Sequence, residues 1–274
     1  MRNQWALRPK KRLGQHFLRD RGVIKDILDL AGFQPSDMVL EIGAGLGALT
    51  IPLAERVHEI IAVEMDYRLI KMLEDRFPKE GIARVTFINE DILSLNLKGI
   101  TSPSMNKHKI IGNLPYNISS PFLEKLIRHR DLFSKAVLMF QLEFANRLLA
   151  SPGGKEYGAL TVSIQYEAHV SPLLEVSRES FHPRPKVGSM VLAMDMERPY
   201  PRRAEDEKFF KSIVNGAFAY RRKTILNSLK RALDSYDGKT ISGALNRCAI
   251  DPMRRAETLG IDEFLHLASA LKHP

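Results

Sequence analysis

Residues 39–50 read VLEIGAGLGALT, and the fold follows from how this stretch is parsed. Val39 to Ile42 form a short apolar run that ends abruptly in glycines, which marks a buried strand entering a tight turn. Gly43, Gly45 and Gly47 let the backbone turn sharply and come close to a ligand, and the helix that starts behind them offers unpaired N–H groups. A strand, a glycine turn and a helix start make the first half of a βαβ unit.

The same rhythm continues outward. ALTIPLAERV (48–57) reads as the helix and EIIAVEMD (59–66) as a second buried strand. YRLIKMLEDRF (67–77) is apolar at helical spacing. RVTFINED (84–91) and KIIGNLPY (109–116) read as further strands, with PFLEKLIRHR (121–130) as the helix after the second. KAVLMFQ (135–141) is a strand and LEFANRLLAS (142–151) a helix. Short apolar strands alternating with amphipathic helices predict a mostly parallel sheet covered on both faces, a Rossmann-like α/β domain.

After SPGGKEYG (151–158) the pattern changes. ALTVSIQYEAHV (159–170) and GSMVLAMDM (188–196) read as paired strands with the Pro-rich FHPRPKV (181–187) between them. SPSMNKHK (102–109) reads as a polar surface loop, and ERPYPRRAEDE (197–207) as a linker rich in Pro and charge. From about Lys208 to Leu271 the spacing is helical throughout. The expected organisation is therefore an α/β domain over 1–198, opening with a basic segment over 1–20, and a small all-α domain over 199–274.

Composition narrows the function. The 274 residues are 44% hydrophobic and 27% charged, which excludes a wholly disordered or fibrous chain. No apolar run approaches the roughly 18–20 residues of a membrane helix. The single cysteine, Cys248, excludes an internal disulfide framework, and no His/Cys cluster has zinc-ligand spacing, so no metal is expected. The expectation is a monomer in a reducing, cytoplasmic compartment with no membrane partner. Forty-one Lys and Arg against 32 Asp and Glu give a net charge of +9, the balance a polyanionic partner selects. The excess concentrates in RPKKR (8–12) and in YRRKTILNSLKR (220–231), which reads as a helix with one basic face. Arg221, Arg222 and Lys223 are the expected contacts to RNA backbone.

Three strand ends outline a pocket. Gly43 and Gly45 form the turn; Glu64 ends the second strand about 20 residues on, where a carboxylate accepts both ribose hydroxyls; Asp91 ends the third, within reach of an adenine amino group. Gly43, Gly45 and Ala48 also satisfy the dinucleotide fingerprint G-x-G-x-x-G/A, so these residues define an adenosine pocket without separating NAD from S-adenosylmethionine. NLPY (113–116) separates them. An exocyclic adenine amino group is a poor nucleophile because its lone pair is delocalised into the ring. Two acceptors aimed at its hydrogens, the Asn113 side-chain oxygen and the Leu114 carbonyl, would favour pyramidal geometry and stabilise the developing positive charge. Pro115 stiffens the turn and Tyr116 supplies a ring for stacking. Hydride transfer has no use for such a turn.

RLGQHFLRD (12–20), EIGAGLGALT (41–50), VEMD (63–66), NEDIL (89–93), NLPYNISSPFL (113–123), YGALTVSIQY (157–166), FHPRPKVGS (181–189) and AFAYRRKTILNSL (217–229) together resemble the ribosomal RNA adenine dimethyltransferases, most closely the bacterial small-subunit type. The matches run in order from about Leu13 to LGIDEFLHLASAL (259–271). The resemblance implies an S-adenosylmethionine-dependent enzyme, without a metal, that makes N6,N6-dimethyladenosine at two adjacent adenines near the 3′ end of small-subunit (16S) rRNA, in an immature 30S-type particle. It implies cofactor contacts at His16, Leu18, Gly43, Glu64, Asp91 and Asn113; the family more often has Asn where His16 stands. Phe181 is similar to the family aromatic near the target base, and a sandwich of the base between Tyr116 and Phe181 is the expectation. The alternatives are the large-subunit (23S) type of macrolide resistance and a ribosome-assembly factor that binds RNA without chemistry.

Overall fold

The structure, a computed structural model, describes residues 8–10, 13–101 and 107–273. Most of the expected loop 102–109 and much of the basic segment 1–20 therefore lie outside the described residues.

The described strands are β1 (Phe17–Leu18), β2 (Met38–Ile42), β3 (Glu59–Val63), β4 (Val85–Ile88), β5 (His108–Asn113), β6 (Phe133–Gln141), β7 (His169–Val176), β8 (Phe181–His182) and β9 (Ser189–Asp195). Seven of them form one sheet in the order β4-β3-β2-β5-β6-β9-β7. β4, β3, β2, β5 and β6 run parallel, and β9 returns antiparallel to β6. β1 and β8 pair separately, with Leu18 opposite Phe181. This is the Rossmann-like arrangement the alternating pattern predicts.

Because β3 and β4 lie on one side of β2 while β5 and β6 lie on the other, the chain reverses direction between β2 and β5. Crevices outside the carboxyl ends of parallel strands open at such a reversal. The pairing of Ile42 with Gly112 sets Gly43 and Asn113, the next residues, side by side there.

Local chemistry explains the element boundaries. The Arg21–Ala31 helix starts at Asp20, whose carboxylate accepts from the Gly22 and Val23 amides at 2.9 and 3.2 Å. It stops at Gly32, with φ of 62°. The Tyr67–Arg76 helix is capped by Asp66, which accepts from Arg68 N at 3.2 Å.

The chain divides into two compact units. One comprises the described residues up to Ala145 with Val170–Glu197; the other comprises Asn146–His169 with the residues from Arg198 onward. The change of unit at 197/198 falls where the linker is expected, whereas 146–169, expected with the sheet, packs with the helices. Its sequence looks strand-like, yet Ala159–Glu167 is a helix. Thr161, Val162, Ile164 and Tyr166 give the segment β-type composition, and all four are buried together with Glu167, so the helix is enclosed around most of its circumference. Val162 and Tyr166, four residues apart, join the helical core beside Phe210 and Ile213, and the Tyr166 ring lies 4.5 Å from that of Phe210. Tertiary packing overrides intrinsic propensity here. Beyond it the helical unit comprises Glu207–Phe218, Ile225–Ala232, Gly238–Arg247 and Ile261–Lys272.

YRRKTILNSLKR also differs from expectation. Tyr220 to Lys223 form a turn, with Lys223 N donating to Tyr220 O at 2.8 Å, and the helix begins only at Ile225. Thr224, extended at φ of −66° and ψ of 160°, is the N-cap that ends the turn. Arg221, Arg222 and Lys223 are all exposed on it. Among the described residues no helix is long and apolar enough to cross a membrane.

Candidate active site

At the β2/β5 reversal lies a cavity of about 440 Å³, lined among others by His16, Gly43, Gly45, Glu64, Asp91 and the residues from Asn113 to Ile118. That volume falls within the roughly 300–1,000 Å³ of small-molecule sites. Its floor requires glycine. Gly43 and Gly45 have φ of 76° and 56°, a region side chains rarely adopt. A Cβ on Gly43 would point at the Asn113 carbonyl oxygen at 3.4 Å, and one on Gly45 at the Phe17 ring at 3.3 Å.

Glu64 follows the end of β3 and is 9% exposed. Its Oε2 accepts from Gly45 N at 3.1 Å and its Oε1 from Asp66 N at 2.8 Å, so the carboxylate braces the glycine turn from the wall of the cavity. Burial pushes this carboxyl above its usual range, and the same amides pull it partly back. Asp91 accepts from Leu93 N at 2.9 Å and, beyond the neighbouring strand β4, lines the cavity with Ile92 and Leu93.

Asn113 is the last residue of β5. Its side-chain Nδ2 donates to the main-chain oxygen of His16 at 3.0 Å. That bond fixes the amide's orientation and leaves Oδ1 as an acceptor at the cavity. Leu114, Pro115 and Tyr116 continue along the wall. The Tyr116 hydroxyl is 2.8 Å from Ser189 Oγ, and burial raises its pKa.

His16 joins three of these pieces. Besides accepting from Asn113, it donates from Nδ1 to the Pro183 carbonyl at 2.7 Å, and its ring stacks on Tyr116 with centroids 5.7 Å apart and planes 24° from parallel. The segment carrying it is anchored by Asp66, which is 2% exposed and accepts from Lys10 at 3.1 Å and Gln15 at 3.3 Å. Arg68, Lys10 and Gln15 hold the Asp66 carboxyl well below the usual range.

The expected sandwich of Tyr116 and Phe181 is not what the structure shows. Phe181 is 4% exposed and packs in the core with Leu18 and Val176, because the β1–β8 pairing turns it inward. The ring against Tyr116 is that of His16. Leu18 is likewise a core residue and does not line the cavity.

Three contributors escape a reading of the sequence. Gly112 lies where a Cβ would sit 2.7 Å from the Ile42 carbonyl oxygen, although in IIGNLPY it looks like an ordinary strand glycine. Glu41 is 1% exposed behind the glycine turn, and burial pushes its carboxyl up to about 7. Lys125 is 8% exposed within a helix whose pattern reads as amphipathic. The EIG and IIGN contexts hint at the first two; nothing in PFLEKLIRHR marks the third.

The sequence model of the ribosomal RNA adenine dimethylase family matches residues 6–272. The chain belongs to this family. A relative from Geobacter metallireducens, named ribosomal RNA small subunit methyltransferase A, is 44% identical over 97% of this chain and 96% of its own length. One of the same name from Shouchella clausii is 40% identical over 96% and 89%. Among solved structures, a dimethyladenosine transferase from Plasmodium falciparum superposes with a TM-score of 0.78 at 28% identity, covering 92% of this chain and 95% of that one. The 23S rRNA methyltransferase ErmE gives 0.70 at 26% identity, covering 93% and 99%.

Proposed function

We propose that this chain is the small-subunit member of its family, transferring methyl groups from S-adenosylmethionine to the N6 atoms of two adjacent adenosines near the 3′ end of 16S rRNA. Two relatives of about 40–44% identity and near-complete coverage carry the small-subunit name, which favours that substrate over the large-subunit one. The observation that carries the chemistry is the Asn113 amide, whose nitrogen is committed to the His16 carbonyl so that its oxygen remains to accept.

The residues present fit the cofactor. The turn at Gly43 and Gly45 would admit its backbone-close part, Glu64 its ribose hydroxyls and Asp91 its adenine amino group. Bound there, S-adenosylmethionine supplies an electrophilic methyl on a sulfonium. With the cofactor in place, Asn113 Oδ1 and the Leu114 carbonyl would accept from the target amino group, orient its lone pair, and stabilise the positive charge that develops on nitrogen. The surplus proton then leaves to solvent. Since His16 covers one face of Tyr116, a base stacking on Tyr116 uses the other. One aromatic stack returns about 1–3 kcal/mol, close to the few kcal/mol that flipping a base out costs. The basic turn Arg221–Lys223 would hold RNA backbone, and an immature 30S-type particle is the proposed partner.

The test is methyl transfer from labelled S-adenosylmethionine to unmethylated small subunits, with large subunits in parallel. Dimethyladenosine is expected from small subunits only, and N113A is expected to lower kcat by about 10²–10³, the usual effect of deleting one preorganised partner of developing charge. Label in large subunits would move the chain to the other branch of the family. Full turnover by N113A would remove the role given to that amide.

A further inference from the structure

Lysine almost never lies fully buried unless its charge is matched, because an unsolvated ammonium costs several kcal/mol. Lys125 is 8% exposed and sits in the Ser119–Arg128 helix, which starts three residues after the NLPY turn. Its ammonium donates to the carbonyls of Ile92 at 2.8 Å, Leu93 at 2.9 Å and Leu95. Those three acceptors account for all the donors an ammonium has. The acidic groups of Asp91 and Glu90 lie close enough to offset part of the desolvation.

The three carbonyls belong to the loop that follows β4, and this loop is the Asp91 wall of the cavity. It is wound tightly: Asp91 Oδ1 accepts from Leu93 N at 2.9 Å, and Asp91 O from Ser94 N and Leu95 N at 3.0 Å each. The winding turns these carbonyls to one side, with the bonds to Ile92 and Leu95 buried and that to Leu93 partly buried, and Lys125 Nζ occupies the point on which they converge. A side chain without donors there would leave the two buried carbonyls of Ile92 and Leu95 unpaired, each costing about 1–3 kcal/mol. The loop would then relax to find other partners, and Asp91, Ile92 and Leu93 would shift with it.

We propose that Lys125 is a positioning residue for the cofactor. Its ammonium ties the adenine-side wall, Asp91 to Leu93, to the helix that carries the methyl-acceptor turn, so that both ends of the cavity keep one spacing. The proposal rests on the reading of this cavity as the S-adenosylmethionine site. It separates binding from chemistry. Asn113 and Leu114 stay where β5 and His16 hold them, so loss of the lysine loosens the grip on the adenine end without removing the groups that act on the target amine.

The test is calorimetric affinity for S-adenosylmethionine and for S-adenosylhomocysteine, steady-state kcat and KM, and amide hydrogen exchange of intact protein, comparing wild type with Lys125→Met and Lys125→Arg. In Lys125→Met both ligands are expected to bind at least tenfold more weakly, with kcat at saturating cofactor within twofold of wild type. The amides from Ile92 to Leu95 should exchange faster, while those from Ile118 to Leu123 should not. Lys125→Arg, which keeps charge and donors, should recover part of the affinity. If Lys125→Met does not fold, Lys125→Gln, which keeps two donors, should show the same split at smaller amplitude. Affinities within twofold of wild type in whichever of these two variants folds would overturn the proposal, as would a fall in kcat with unchanged affinity. Failure of the wild type itself to bind either ligand would instead overturn the reading of the cavity.

Discussion

Substitution of Gly112 by alanine isolates the packing that brings the two halves of the site together. Its outcome follows from two opposed effects. Replacing a glycine by alanine in a compatible backbone commonly stabilises by about 0.4–1 kcal/mol, since the unfolded chain has less freedom to lose. At Gly112, however, the new methyl would sit 2.7 Å from the Ile42 carbonyl oxygen and 3.2 Å from Ile42 Cβ. The first contact is to backbone, which no rotamer change relieves, so β2 and β5 must separate by several tenths of an ångström. Overpacking of this kind costs about 1–3 kcal/mol, more than the entropic gain. The strain falls one residue before Asn113 and opposite the residue before Gly43. Misplacement by as much as 1 Å can cost about 10²-fold in rate, so kcat is expected to fall at least tenfold. Gly188→Ala is the control, because its Cβ would meet nothing closer than Val176 O at 3.6 Å. Urea unfolding followed by circular dichroism, alongside methyl transfer to small subunits, reads both effects. If Gly112→Ala matched Gly188→Ala in midpoint and in kcat, the close approach of β2 and β5 would not be what holds Asn113 beside Gly43.

Two further outcomes follow from charge. Glu41 is raised from 4.5 to about 7 by burial, so between those values the folded protein holds a proton that the unfolded chain has lost. Its stabilising contribution is complete below pH about 4.5, declines as pH rises towards 7, and is level above. The full swing is on the order of 3 kcal/mol, and E41Q should remove that slope; an unchanged pH profile of the urea midpoint would refute the assignment. Changing Arg221, Arg222 and Lys223 to glutamine should weaken RNA binding and reduce the slope of log K against log salt by about 2. Arg221 already donates to Lys155 O at 2.6 Å and so should contribute least. Unchanged affinity and slope would mean that the turn is only a solvated surface.

The parallel sheet was legible because its strands are short, β-branched and bounded by glycine or by helix caps, so local chemistry and burial agree. The helix at Ala159–Glu167 was not legible, since its β-type composition contradicts the structure it adopts. Val162 and Tyr166 are buried by residues some fifty positions later in the chain, a contact that no local pattern encodes. The exposed turn at Tyr220–Lys223 departs from the expected helix for the opposite reason. Apolar residues on both sides suggested one continuous helix, and the boundary is a single capping threonine.

The same distinction applies within the site. Gly43, Gly45, Glu64, Asp91 and Asn113 could be located because each stands at a strand end, and strand ends in a parallel sheet converge by topology. Phe181 could not be placed that way. Its position depends on a two-residue pairing of β8 with β1 across more than 160 residues of chain, and no local pattern encodes which face that pairing buries. His16 and Lys125 belong to the same class, since their roles rest on main-chain carbonyls contributed by distant segments. The NLPY turn is short, yet it is held twice: Gly112 fixes its height against β2, and the His16 carbonyl fixes the amide of Asn113. On the proposed function, a turn so constrained would present its two acceptors without reorganising as charge develops on a weakly nucleophilic amine.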